Sequence, residues 1–113
     1  MKTSTPEISI LLPCLNEELA LPHCIDEIES VIKRYNLDAE IIIIDNGSTD
    51  KSKEIATARA ATNKNINLIS EANTGYGSAY LSGFSKASGL YIFMADTDGT
   101  YDFKDIPLFV RKL

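Results

Sequence analysis

The chain of 113 residues has no tryptophan, a single histidine and only two cysteines. Each scarcity removes a class of explanation. Cys14 and Cys24 are too few for a disulfide framework and have no ligand partners at metal-binding spacing, so both read as buried thiols in a reducing compartment. His23 leaves any Ser-His-Asp or Cys-His triad one available base, and it follows Pro22 in what reads as a helical first turn. No apolar run approaches the ~20 residues of a membrane helix. The polar residues ahead of Pro6 do not make a signal peptide, so the chain reads as soluble and cytoplasmic. Basic residues are also few. Lys and Arg total 11 against 16 Asp and Glu, a net charge of −5, which disfavours nucleic-acid binding. An acidic protein that takes a phosphorylated ligand needs a metal ion or helix N-termini to do so.

What remains is ordinary globular composition, with 44% hydrophobic and 24% charged residues. The length fits one domain, 1–113, with enough chain for a single core. The chain turns on Leu90-Tyr-Ile-Phe-Met-Ala-Asp-Thr-Asp-Gly99, where an apolar run meets two carboxylates one residue apart. The run suits a strand buried on both faces. Asp96 and Asp98 then fall at its carboxyl end, where open parallel sheets bind their ligands. Two such close acids repel unless a cation lies between them, and a hard divalent ion, Mg2+ or Mn2+, suits oxygen donors and leaves positions for phosphate. A pair of solvated loop acids is the structural alternative.

The preceding chain supplies the context. Ile8–Leu12 reads as a strand with Pro13 at its exit. Asn16 can cap a helix whose first turn suits Glu17 and Glu18, and Leu21, Cys24, Ile25, Ile28, Val31, Ile32 and Tyr35 give it one apolar face. Ile41–Ile44, β-branched throughout, predicts a central strand followed by Asp45-Asn-Gly-Ser-Thr-Asp50. Thr49 or Asp50 can cap an alanine-rich helix from about Lys51 to Thr62. A third strand, Ile66–Ile69, leads through Asn73-Thr-Gly-Tyr-Gly-Ser78 into a helix with Ala79, Tyr80, Gly83, Phe84 and Ala87 on one side. Phe103–Leu113 reads as the start of another helix. The order βαβαβαβα predicts an α/β fold with a doubly wound, mainly parallel sheet between two helix layers.

Three strand ends thus carry candidate ligands on one sheet edge: Pro13–Glu17, Asp45–Asp50 and Asp96–Asp98. Singly, each has a structural role to fill. Glu17 can offset a helix dipole, Asp45 can fix a turn, Asp50 can cap, and Tyr76 and Tyr101 can pack at a rim. Their joint convergence is more specific.

The motifs Leu12-Pro-Cys-Leu-Asn-Glu-Glu18, Asp45-Asn-Gly-Ser-Thr-Asp50, Asn73-Thr-Gly-Tyr-Gly-Ser-Ala79 and Asp96-Thr-Asp98 together resemble those of family 2 glycosyltransferases. The similarity is greatest to the branch with dolichyl-phosphate mannosyltransferase and bacterial polyprenyl-phosphate glycosyltransferases. The resemblance implies the nucleotide-binding half of a Rossmann-like GT-A domain, a nucleoside-diphosphate sugar donor and inverting transfer to a polyprenyl phosphate. It implies that Pro13, Leu15 and Glu17 line the nucleoside pocket and that Asp45 contacts base or ribose, with Asn46 where relatives often carry a second Asp. It further implies that Thr97 lies beside the ribose and sugar, and that Asp96 and Asp98 hold Mg2+ or Mn2+, Asp98 being the direct ligand. Such proteins continue past this length, so a chain truncated before its acceptor half, inactive by itself, is expected. The full-length protein is expected at the cytoplasmic membrane surface. Two other readings compete: a dinucleotide-binding Rossmann unit built on Gly75-Tyr-Gly77, and a phosphoacceptor receiver module of similar size.

Overall fold

The computed structural model describes residues 6–72 and 76–95. The third-motif residues 73–75, the acids Asp96 and Asp98 with Thr97, and the helix expected over Phe103–Leu113 lie outside them.

Four strands, β1 (Ile8–Cys14), β2 (Ala39–Asp45), β3 (Ile66–Ser70) and β4 (Tyr91–Met94), alternate with helices α1 (Leu21–Arg34), α2 (Ser52–Thr62) and α3 (Tyr76–Lys86). The sheet runs β3-β2-β1-β4, and every neighbouring pair is parallel. Parallel neighbours need crossover helices, and successive crossovers run first one way and then the other. Helices α1 and α2 accordingly cover one face and α3 the other.

Alternation along β1 and β2 divides the core. Ile8, Ile10, Leu12, Ile41 and Ile43 meet Leu21, Cys24, Ile25, Ile28 and Val31 of α1 and Ala56 of α2. Leu11, Ile42 and Ile44 face Ala79 of α3. Most of these aliphatic side chains are wholly buried, and each contributes roughly 1.5–3 kcal/mol. The strand Ile41–Ile44 is central, as its composition predicts, and α2 buries only the narrow strip of Ser52 and Ala56. On the other face, a Cβ on Gly83 would lie 3.0 Å from a Leu11 methyl and 3.1 Å from one of Ile44, so its absence lets α3 settle against the sheet.

Two expectations need correction. The run ending at Met94 is an edge strand among the described residues, half-buried, with Met94 45% exposed. A continuous apolar run reports that both faces are covered to some degree but says nothing of lateral neighbours. Asn16 does not cap α1. That helix starts at Leu21 after Ala20 and has no acid in its first turn. Its first amide, that of Leu21, donates to the Glu17 carbonyl at 2.8 Å instead.

The amino-terminal end of the sheet is closed by one carboxylate. Glu40 accepts the Ser9 hydroxyl at 2.5 Å and the N–H and hydroxyl of Ser88 at 2.8 and 3.0 Å. Gly89 donates its N–H to the same Ser9 oxygen at 2.8 Å. The turn into β4 is thereby fastened to both central strands.

Candidate functional site

The strand order reverses between β1 and β4: β2 and β3 follow on one side of β1, and β4 returns on the other. Crevices at such reversals, outside the carboxyl ends of the strands, are where doubly wound sheets bind ligands. Pro13 shapes this one. The Ala95 N–H donates to the Leu11 carbonyl at 3.0 Å, and the next rung of a parallel ladder would run from residue 13 back to residue 95. Proline has no N–H to give. The rung from residue 13 to Ala95 is therefore missing, immediately ahead of Asp96-Thr97-Asp98 in the sequence. The proline expected at the strand's exit is paired with Ile44 inside β1, and its missing donor faces β4.

Asp45 is the last residue of β2 and pairs with Cys14. It is 5% exposed, and its Oδ1 has no hydrogen-bond partner among the described residues. A buried acceptor without a donor is costly, so this oxygen is disposed to accept a hydroxyl or N–H. With β1 between them, Asp45 and Ala95 stand two strand spacings apart, about 10 Å.

The loops after β1 and β2 are laced together. Asn16 has φ 53°, and its side-chain oxygen accepts the N–H groups of Thr49 and Asp50 at 2.7 and 3.2 Å and the Thr49 hydroxyl at 3.3 Å. In return the N–H of Asn16 donates to the Ser48 hydroxyl at 3.0 Å, that of Glu17 to the Ser52 hydroxyl at 2.9 Å, and that of Glu18 to an Asp50 carboxylate oxygen at 3.1 Å. Asn46 adds a main-chain bond to the Cys14 carbonyl at 2.9 Å. Gly47, at φ 89°, makes the turn that brings the second loop round.

Asp50 does serve the helix that follows, since its other oxygen accepts the Ser52 N–H at 2.9 Å. Burial alone would raise its pKa. Hydrogen bonds from the Ser52 hydroxyl and from the N–H groups of Ser52, Glu18 and Asp50 itself outweigh that and hold the carboxyl below its ordinary range. Sequence reasoning missed the roles of Asn16, Ser48 and Ser52 because their partners lie 32 to 35 residues away.

Of the expected site residues, Pro13, Leu15, Glu17 and Asp45 gather at this edge, with Leu15 half in solvent and Glu17 half-buried. Asp96, Thr97 and Asp98 fall outside the described residues, although β4 leads towards the same edge. His23 is exposed in the first turn of α1, with its Nε2 2.8 Å from Glu27. Both cysteines are buried thiols.

No group of three or more potential metal ligands occurs among the described residues. The chemistry of the edge fits a hard cation: its acids offer oxygen, Cys14 is packed into the core, and the single histidine is engaged with Glu27. A cavity of ≈ 250 Å³ beside Asp38, Glu40, Lys64 and Asn65 opens at the opposite end of the strands and takes no part. No helix among the described residues is long and apolar enough to cross a membrane.

Comparison with known proteins agrees with this geometry. The chain is 36% identical over 102 residues to a low-salt glycan biosynthesis hexosyltransferase of Haloferax volcanii, a match covering 90% of this chain and 23% of that one. It is 32% identical over 107 residues to the undecaprenyl-phosphate 4-deoxy-4-formamido-L-arabinose transferase of Photorhabdus laumondii, covering 93% and 33% respectively. The chain thus spans about a quarter to a third of the length of these curated relatives. A mannosyltransferase of Pyrobaculum calidifontis, solved with GDP-Man and Mn2+, superposes with a TM-score of 0.76 at 22% identity over 91% of this chain and 30% of its own. Glucosyl-3-phosphoglycerate synthase of Mycobacterium tuberculosis, solved with Mn2+, UDP-glucose and phosphoglyceric acid, gives 0.69 at 28% identity over 96% and 38%. The fold is that of the GT-A glycosyltransferases. The model of glycosyl transferase family 2 matches residues 9–113, from the first strand through the Asp-x-Asp pair, and the chain belongs to that family.

Proposed function

We propose that this chain is the donor-binding part of an inverting glycosyltransferase that moves a sugar from a nucleoside diphosphate to a polyprenyl phosphate. The observation that carries the reading is Asp45, a buried carboxylate with one oxygen unanswered among the described residues, at the carboxyl edge of the sheet. Pro13 and Leu15 form the apolar wall of the nucleoside site, Glu17 borders it, and Asp45 accepts from the base or ribose. Thr97 lies beside the ribose and sugar, and Asp96 and Asp98 hold Mg2+ or Mn2+, Asp98 directly. When bound, that cation neutralises charge on the diphosphate, worth several kcal/mol where charge develops in the transition state.

The acceptor oxygen bonds to the anomeric carbon from the face opposite the departing diphosphate oxygen, whose bond to that carbon breaks with its electron pair. Configuration inverts. A phosphate acceptor is already anionic near neutral pH, so no general base is required, whereas a hydroxyl acceptor would need one. The lipid acceptor is supported by relatives named as undecaprenyl-phosphate transferases, and it goes with a cytoplasmic site at the membrane surface.

The competing readings are disfavoured by topology. A receiver module has strand order 2-1-3-4-5, whereas this sheet runs β3-β2-β1-β4. A dinucleotide fingerprint belongs to the first βα turn, which here carries Pro13-Cys-Leu-Asn-Glu17 and no glycine. Calorimetry of UDP and GDP with and without Mn2+ tests the proposal on wild type, Asp45→Ala and Asp98→Ala. Metal-dependent binding lost in Asp98→Ala is expected, and Asp45→Ala should weaken nucleotide even without metal. Equal binding by all three proteins would end the reading.

A further inference from the structure

We propose that Asn16 is the positioning residue that keeps the two halves of the nucleotide pocket in one register. This rests on the nucleotide-binding reading above. The pocket residues come from two separate loops, Leu15 and Glu17 on one and Asp45 at the head of the other. The joint between them is centred on one side chain. The Asn16 oxygen collects two main-chain N–H groups and a hydroxyl from the second loop, while three successive N–H groups of the first loop donate to Ser48, Ser52 and Asp50.

Both properties of asparagine are used. At φ 53° the backbone is left-handed, a region that asparagine enters more readily than most side chains. A short amide places its acceptor close to its own backbone, so that a single residue can both turn the first loop and grip the second. An amide oxygen offers two lone pairs, and here three donors already approach it. The acceptor oxygen of Asn16 is therefore taken up by the second loop, and through it the residue acts on the position of the pocket side chains. Its flanking neighbours Leu15 and Glu17 project from the segment it pins, so a slack joint moves them relative to Asp45.

Asn16→Gly tests this, because glycine keeps the left-handed backbone and removes the side-chain amide with its acceptor, while Asn16→Asp returns the acceptor without the amide N–H groups. Asn16→Asp keeps an acceptor oxygen of the same reach. Glu40→Ala serves as a destabilised control, lying at the opposite end of the sheet. UDP and GDP affinities with Mn2+ are measured by calorimetry alongside melting temperature, at about 0.3 M salt to screen the added carboxylate. Asn16→Gly is expected to bind about tenfold more weakly, Asn16→Asp to return to within about threefold of wild type, and Glu40→Ala to melt lower with affinity unchanged. Should Asn16→Gly fail to fold, Ser48→Ala removes a single bond of the joint and is expected to weaken binding about threefold. Unchanged affinity in Asn16→Gly, or in Ser48→Ala where that variant stands in, overturns the proposal. So does a loss in Asn16→Gly that merely follows melting temperature along the line set by Glu40→Ala. A wild-type chain that binds neither nucleotide overturns the nucleotide reading itself, an outcome distinct from either of these.

Discussion

The buried hydroxyl of Ser52 accepts the main-chain N–H of Glu17 at 2.9 Å, across a separation of 35 residues. The same hydroxyl donates to Asp50, so one small side chain serves both strand-end loops and the start of α2. Ser52→Ala removes acceptor and donor together and leaves a Glu17 N–H without its partner. The expected cost is about 1–3 kcal/mol in urea unfolding, against a few tenths for Ser30→Ala on the exposed side of α1.

Asp50 predicts a pH dependence. Its folded pKa lies below the ordinary 3.8, so the unfolded chain takes up a proton first as pH falls. The stabilisation is fully present above 3.8 and is lost as pH drops through the lowered folded value. Acid unfolding curves of wild type and Asp50→Asn should therefore converge at the acid end and separate above it.

Glu40→Ala strips the amino-terminal clasp. Ser9, which is wholly buried, and the Ser88 N–H both lose a charged acceptor. A loss of about 2–3 kcal/mol is expected from chemical denaturation, with protection from amide exchange falling first around Ser88 and Tyr91.

Gly89→Ala should be worse tolerated than its solvent exposure suggests. The added Cβ would sit 2.7 Å from the Ser9 nitrogen and 2.8 Å from the Ile8 carbonyl carbon, both main-chain atoms. Backbone must move, and a cost of about 1–3 kcal/mol in thermal or urea unfolding is expected. At Gly77 the same Cβ would have nothing within 4 Å, and alanine there should be neutral or mildly stabilising through helix propensity.

The elements that were legible in the sequence are those whose evidence is local. Leu21, Cys24, Ile25, Ile28 and Val31 recur at helical spacing and are all buried on one face of α1. Four consecutive isoleucines lie at the centre of β2. The order of elements, and with it the shared carboxyl edge, followed from alternation alone. What was not legible depended on partners distant in the chain. Asn16 carries the composition of a helix cap, yet its acceptor is taken by Thr49 and Asp50 before α1 begins. The run ending at Met94 has the apolar density of an interior strand but lies at the edge of the sheet formed by the described residues, because lateral pairing leaves no mark on hydropathy. Asp45 was legible as a strand-end acid; that its Oδ1 is buried and unanswered among the described residues could be learned only from the packing around it.

Pro13 has a mechanical consequence. Since no main-chain rung can run from it to Ala95, the pairing of β1 with β4 is one hydrogen bond poorer at this point than that of β1 with β2, and a ligand seated there becomes a splint. Saturating nucleotide should therefore slow hydrogen exchange along Tyr91–Met94 far more than along Ile41–Ile44, whose ladder runs intact to Asp45. Replacing Pro13 by alanine should tighten the empty sheet at the expense of that response.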